Sequence, residues 1–275
     1  MKKHISVIAM LILVMPVLRA EPAVLLDKAE SLFKEAGEEL QEQRKMNLFL
    51  EAASLYERTA KETGGNGKLY YNAGNAYLRG GDTGRAVLNY RKALLYRPFD
   101  GNLRSNLEYA RSKQQNSFTE TVENRITALL LFPLEAVPPA AAAVLLVLSS
   151  LVLWGSLILK FFVAGGKKIV AVPLLAMVFS VSVLGTGAWE SSRVYGVVTA
   201  ESAVGRNGDS RGYEPTFSEP LYSGVEFRVV ESRAGWYLVR LVSGDMTWIE
   251  SSRCSLVEAG SQRIGTEKLA FMPGQ

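Results

Sequence analysis

The stretch NAGNAYLRGGDTGRAVLNYRKALLYRP, residues 72–98, decides the fold of the N-terminal half of the chain. Small and aromatic residues recur at helical spacing on both sides of a central turn. Gly81 can end the first helix, Asp82 can cap the second, and Pro98 can stop it. The stretch therefore predicts two antiparallel helices that pack closely.

The surrounding sequence follows the period of a known helical repeat. From Gly67 to Asp100 the chain resembles the tetratricopeptide repeat, which is about 34 residues long. The matching positions on the two helices are Tyr70, Ala73, Gly74, Tyr77, Ala86, Tyr90, Ala93 and Pro98. We expect Gly74 and Ala86 to let the helices approach, with the two tyrosines of the pair filling the space beside them.

A degenerate earlier repeat precedes this unit. Ala52 and Tyr56 lie one period before Ala86 and Tyr90, which indicates a second helix there, whereas a first helix within 29–43 fits the pattern poorly. The predicted all-α domain of helical hairpins covers residues 21–116.

The ends of this stack need covering, because about three repeats are required for stability. Residues 100–115, DGNLRSNLEYARSKQQ, are predicted to form an amphipathic helix that covers one end. At the other end two alternatives are open. Either the acidic segment 30–42 packs as an atypical cap, or a partner completes the stack.

First-helix positions of stacked repeats line a groove, which makes five residues candidates for partner binding. Each could equally be an ordinary solvated side chain. Between residues 68 and 113 there are nine Lys or Arg residues against three acids, so an acidic peptide or chain terminus is the favoured ligand. The candidates are Lys68, Tyr71, Asn72, Asn75 and Arg79.

Two later segments are long and apolar enough to span a membrane, after a linker at residues 117–139. The first is placed at 140–163, with an uncharged run over 140–159, and the second at 169–189. Three lysines, Lys160, Lys167 and Lys168, lie in or beside the connector. The positive-inside rule places that connector in the cytoplasm, so both terminal domains are expected in the bacterial periplasm, anchored to the inner membrane.

The first twenty residues, MKKHISVIAMLILVMPVLRA, are consistent with this orientation. Two lysines precede a short apolar run that ends at small Ala20, which is the order of a secretory signal peptide. An uncleaved anchor is the alternative. Both interpretations export the domain that follows.

After the second apolar segment the pattern changes to period two. VEFRVV and GWYLVRL alternate apolar and polar residues between Gly- and Ser-rich turns, and residues 194–258 resemble a bacterial SH3-like barrel. Trp236 and Trp248 are candidates to line a ligand groove, although either could belong to the core. Cys254 is expected to pack as a small hydrophobe, or, if exposed, to form an intermolecular disulfide. Residues 259–275 form a tail.

Composition excludes several kinds of chemistry. His4 is the sole histidine and Cys254 the sole cysteine, so the chain offers no His/Cys metal site, no internal disulfide and no histidine base for a nucleophile. A formal net charge of +4 without interleaved basic and aromatic residues makes nucleic acid an unexpected partner. We expect no catalytic residues, no metal and no cofactor.

The order of these parts resembles the BatE-like proteins of aerotolerance operons. The resemblance rests on YYNAGNAYLRGGDTGRAVLNYRKALLYRP, on NLEYAR, on the membrane hairpin and on GWYLVRL. It implies a non-enzymatic envelope protein that works with membrane proteins carrying von Willebrand A domains and with an associated AAA+ ATPase.

Three functional hypotheses follow. The first is a membrane adaptor or scaffold, part of an aerotolerance or envelope-stress complex, with two exported protein-binding modules. The alternative is a peptidoglycan-binding anchor in which the repeats act as a spacer. An enzyme would have to use carboxylates, and no pair of acids is placed for that chemistry.

Overall fold

The computed structural model describes residues 21–116, 118, 139–159, 167–191 and 193–258. The predicted signal peptide, the tail, most of the connector between the apolar segments and nearly all of the predicted linker lie outside these residues. The described residues fall into two compact units. One unit holds the N-terminal helices together with the C-terminal strands, and the other holds the two long apolar helices.

Residues 21–116 contain five helices. They are α1 (residues 21–38), α2 (Glu42–Glu62), α3 (Gly67–Arg79), α4 (Thr83–Tyr96) and α5 (Gly101–Arg111). Helices α3 and α5 begin at glycines 34 residues apart, and each is capped by the side chain before it, Asn66 or Asp100. The repeat period read from the sequence is therefore present in the helix boundaries.

In the α3–α4 hairpin, α3 ends and α4 begins at the predicted residues. Gly81 adopts a left-handed φ of +84° after α3, and Asp82 accepts a hydrogen bond from the backbone N–H of Arg85 at 2.8 Å. The atoms nearest to a Cβ at Gly74 belong to the ring of Tyr90, one of the two tyrosines expected beside this contact. A Cβ atom at position 74 would lie 2.6 Å from that ring.

The helices form two layers. Helix α3 packs against α2 and α4, and α4 packs against α5. The ring of Phe33 on α1 lies 5.2 Å from that of Phe49 on α2, centroid to centroid, and Ala29 of α1 is fully buried. Helices α1, α3 and α5 thus lie in one layer, with α2 and α4 in the other. The acidic N-terminal segment covers its end of the stack within the chain, which answers one of the open alternatives.

The C-terminal strands form an antiparallel sheet. The strands are β1 (Val194–Val198), β2 (Ser202–Ala203), β3 (Leu221–Tyr222), β4 (Glu226–Arg233), β5 (Trp236–Leu241), β6 (Met246–Glu250) and β7 (Cys254–Leu256). The order in the main sheet is β6-β5-β4-β1-β7, and β2 pairs with β3 in a separate ladder. The predicted alternation in VEFRVV is confirmed, since Val225, Phe227 and Val229 are all buried. The predicted barrel does not close, because among the described residues β6 and β7 do not pair with each other.

The helices and the sheet are not separate modules. Val197 of β1 is fully buried in the core of the helical part, together with residues such as Tyr90. Gly84 of α4 comes so close to the sheet that a Cβ atom there would lie 2.7 Å from the carbonyl oxygen of Val198. The predicted domains 21–116 and 194–258 therefore pack as one unit.

The second unit contains α6 (Pro139–Leu159) and α7 (Lys167–Ser191). Within the described residues, one helix, over Ala140–Ile158, is long and apolar enough to cross a membrane. In α7 the apolar stretch found is the shorter Pro173–Gly185.

Candidate partner-binding face

The five groove candidates all lie on α3, which is the middle helix of the α1, α3 and α5 layer. We call the surface that these three helices share the α1–α3–α5 face. The structure divides the candidates into three groups. Two are directed toward α1, two toward α5, and one packs on aromatic rings.

Lys68 and Asn72 line a cleft between α1, the end of α2 and the start of α3. Its volume is about 340 Å³. The walls are largely apolar, with a few polar groups from Glu30, Thr59 and Thr63. The lining residues are Pro22, Ala23, Leu26, Glu30, Thr59, Thr63, Asn66, Lys68, Leu69 and Asn72.

Tyr71 and Asn75 join α3 to α5 through hydrogen bonds. The side-chain amide of Asn106 donates to Tyr71 Oη and to Asn75 Oδ1, both at 3.0 Å. Tyr90 Oη also donates to Asn75 Oδ1, at 2.8 Å. The network fixes the amide and phenol groups of three helices relative to one another.

Asn106 was missed in the sequence analysis, although the sequence held a signal. It lies one 34-residue period after the candidate Asn72, on a helix that begins one period after α3. Helix α5 is thus the first helix of a third repeat as well as a cover for the stack.

Arg79 has a packing role. Its guanidinium carbon lies 5.0 Å from the ring centroid of Phe33 and 5.6 Å from that of Phe49. Cation–π contacts of this kind contribute about 0.5–1 kcal/mol at exposed sites. Arg79 therefore ties α3 to α1 and α2, and its substitution would disturb the stack.

The basic excess between residues 68 and 113 is largely neutralised within the fold. Five of its nine cations form ion pairs, and two of the acids that pair with them, Glu57 and Glu226, come from outside that segment. The five cations are Arg85, Arg91, Lys92, Arg97 and Arg111. A broad basic face is therefore not what this fold presents, and Lys68 is the cation that lines the cleft.

One of these pairs is buried between α2 and α4. Lys92 Nζ lies 3.2 Å from Glu57 Oε1, and Lys61 Nζ lies 3.1 Å from the same oxygen. Burial raises the pKa of Glu57, but the two ammonium groups outweigh it and lower that pKa to about 2. Tyr77 Oη donates to the other carboxylate oxygen at 3.1 Å.

The two tryptophan candidates lie on the same face of the main sheet but differ in exposure. Trp248 is buried, with 8% of its surface exposed, and the guanidinium of Arg233 lies 4.7 Å above its ring. Trp236 is partly exposed. Cys254 packs against the sheet core, and burial raises the pKa of its thiol to about 12.

A partly buried carboxylate joins the helices to the sheet. Glu226 of β4 pairs with Arg91 of α4 and, at 2.6 Å, with Nε of Arg111 on α5. Its side chain is 19% exposed, and the two guanidinium groups lower the pKa of Glu226 even though burial raises it. We call these three residues the Glu226 clasp.

The chain that leaves α5 continues this contact. Gln114 Nε2 donates to the carbonyl oxygen of Gly224 at 2.6 Å. The side-chain amide of Asn116 pairs with the backbone at β3. Its Oδ1 accepts a hydrogen bond from the N–H of Tyr222 at 2.6 Å, and its Nδ2 donates one to the carbonyl oxygen of Pro220 at 3.2 Å. Glu226 is the first polar residue of VEFRVV, and the alternation in that stretch does not predict that its side chain contacts a helix.

Comparison of the chain with protein-family models, with curated proteins and with solved structures finds no match.

Proposed function

We propose that the protein is a non-enzymatic membrane adaptor whose α1–α3–α5 face binds an extended segment of a partner protein. A tetratricopeptide-type stack supports this, because its first helices present side chains along one surface. The BatE-like resemblance suggests partners among membrane proteins with von Willebrand A domains and their AAA+ ATPase, within an envelope-stress complex. An SH3-like ancestry for the sheet belongs to the same proposal.

The observation that carries the membrane part is the packing of the helices on the sheet. Residues 21–118 and 194–258 lie before and after the apolar helices, yet they share one core and the Glu226 clasp. They must therefore lie on the same side of any membrane that the chain crosses. An even number of crossings follows, which supports a second span in α7 although the candidate found by length and hydropathy is Ala140–Ile158.

The orientation comes from charge. Lysines near the connector favour its retention in the cytoplasm, which puts the helices and the sheet in the periplasm. Introduced cysteines test both points in a Cys254→Ser background in intact cells. Lys34→Cys and Glu219→Cys should react with a membrane-impermeant maleimide, and Gly165→Cys should react only after permeabilisation. Labelling of positions 34 and 219 from opposite sides would exclude an even number of crossings.

The chemistry of the face indicates the kind of ligand. Amides can pair with the backbone of an extended segment, and the apolar cleft can take a side chain from it. Lys68 at the cleft favours a carboxylate next to that side chain. The ligand requirement is thus one anion near an apolar anchor, which is narrower than the acidic peptide that residue counts suggested.

Site-specific photocrosslinking in native membranes tests the face. A photoreactive residue at Asn72 should give a discrete protein adduct, and Lys68→Glu should reduce its yield by about tenfold if one charge-assisted contact is lost. Arg79 is unsuitable for this test because it packs on Phe33 and Phe49. A photoreactive residue at Lys34, exposed on α1 and outside the cleft, is the matched control. Equal adducts from positions 34 and 72, unaffected by Lys68→Glu, would reject the proposal.

The peptidoglycan alternative is less well supported by the geometry. It needs an exposed aromatic surface on the sheet, whereas Trp248 is buried beneath Arg233. Sedimentation of the full chain with purified cell wall, compared with a Trp236→Ala variant, tests it directly.

A further inference from the structure

Among the described residues, the third helical repeat consists of its first helix, α5. Helix α5 starts one period after α3, so a partner helix for α5 would start near residue 117, one period after Thr83. Instead Gln114, Asn116 and Phe118 contact the sheet. The ring of Phe118 lies 6.2 Å from that of Phe217, centroid to centroid, next to the hydrogen bonds of Gln114 and Asn116.

The sheet contacts the same two helices that a partner of α5 would contact. In a two-layer stack that helix packs against α5 and against the preceding second-layer helix, α4. Here the sheet contacts α4 through Gly84 and Arg91, and it contacts α5 through Arg111. Val197 supplies an apolar group to the shared core.

We infer that the sheet occupies the position on α4 and α5 that such a helix would take and, by holding α5, sets the third wall of the α1–α3–α5 face. Helix α5 carries both contacts: Asn106 bonds to Tyr71 and Asn75 of the face, and Arg111 bonds to Glu226 of the sheet. The sheet then controls a binding surface instead of serving as a second binding module. The functional consequence rests on the proposed role of the face, whereas the structural coupling does not.

The Glu226 clasp makes the position of α5 depend on the sheet. The carboxylate of Glu226 is 19% exposed, and the guanidinium groups of Arg91 and Arg111 that it contacts are 35% and 32% exposed. Its removal takes away the acid that joins these two cations and leaves Arg111 paired with Glu108 alone, on its own helix. An isolated helix of 11 residues is marginal in water, so α5 depends on what packs against it. Loss of the clasp should therefore loosen α5 first.

Hydrogen exchange on the full-length protein in detergent micelles tests this inference without a ligand. Glu226→Gln should speed exchange of the α5 amides by at least about tenfold and leave those of α1 nearly unchanged. Asp209→Asn is the matched control, since it removes one carboxylate from an exposed pair with Arg233 in the sheet. Faster exchange in β4 with unchanged exchange in α5 would overturn the inference.

Two further variants cover the case in which Glu226→Gln does not fold. Gln114→Ala removes one hydrogen bond to Gly224 and should give a smaller increase confined to α5. The triple variant Arg91→Met, Arg111→Met, Glu226→Leu replaces the charges by apolar groups and should return α5 exchange to within a few-fold of the wild type. Wild-type α5 exchange in Gln114→Ala, or equal loosening of α5 by Asp209→Asn, would also count against the coupling.

Failure of the coupling and failure of the proposed function can be told apart. Unchanged α5 exchange rejects the coupling whatever the face binds. If α5 loosens as expected but Lys68→Glu leaves the photocrosslinks at Asn72 unaltered, the coupling stands and the binding role of the face is rejected.

Discussion

Gly84→Ala gives the sharpest test of the contact between helices and sheet, because two physical effects predict opposite signs. Gly84 is the second residue of α4, and alanine in a helix is favoured over glycine by up to about 1 kcal/mol. The helical part alone should therefore be stabilised. In the docked structure the new Cβ atom would lie 2.4 Å from Ser223 Oγ and 2.7 Å from the carbonyl oxygen of Val198.

The second of these contacts decides the sign. A serine hydroxyl can rotate away, but the carbonyl belongs to strand β1, whose movement would disturb its pairing with β4 and β7. Overpacking of this kind costs about 1–3 kcal/mol, and the helix gain of about 1 kcal/mol offsets part of it, so the free energy of unfolding should fall by up to about 2 kcal/mol.

The measurement is urea unfolding of the full chain in micelles, with circular dichroism reporting on the unit formed by α1–α5 and the sheet. Gly101→Ala, at the first residue of α5, is the control because nothing lies within 4 Å of its new Cβ atom. It should be neutral or stabilising. If Gly84→Ala stabilises the chain as much as Gly101→Ala does, the sheet does not dock on α4 as described.

Three further outcomes follow from other contacts. Gly74→Ala and Gly74→Leu should each destabilise the helical part by about 1–3 kcal/mol or more, because both side chains collide with the Tyr90 ring, and leucine should cost more than alanine. Thermal unfolding measures this, and a wild-type melting temperature would contradict the packing. Because the pKa of Glu57 is lowered, its ionised carboxylate stabilises the folded state above the usual pKa of 4.5, and this contribution is lost as pH falls toward 2. In acid titrations the free energy of unfolding should therefore fall more steeply for the wild type than for Glu57→Gln. Cys254, whose thiol pKa is raised to about 12, should resist iodoacetamide at pH 8 until the chain is unfolded, and rapid labelling of the native chain would refute its burial.

Local features were predictable where local chemistry decides them. Gly81 and Asp82 end and begin helices through their own backbone and side chain, and both appear in their predicted roles. The 34-residue period located α3 and α4, and amphipathic spacing located α5. Applying the period once more to Asn72 would have found Asn106. Period-two alternation located the buried face of β4.

The face and the clasp depend on contacts between distant segments, which a sequence pattern cannot place. Arg111 and Glu226 are separated by 115 positions. In the sequence Glu226 is one polar residue of an alternating strand, and such residues are usually solvated. Arg79 had the right position for a groove, but which aromatic rings would lie beneath its guanidinium depended on the packing of α1 and α2.

The charge pattern between residues 68 and 113 likewise could not show which carboxylates its cations contact. Nine cations against three acids indicated a basic surface for an external ligand, yet Arg91 and Arg111 contact a carboxylate of the same chain, which follows the apolar helices in the sequence. Until that carboxylate arrives, both guanidinium groups and the helical surface that covers Val197 are open to water. The helical part reaches its final packing only after the sheet has been made and, in the proposed topology, has reached the same side of the membrane. The apolar helices are therefore better regarded as an insertion into one folding unit than as a link between two.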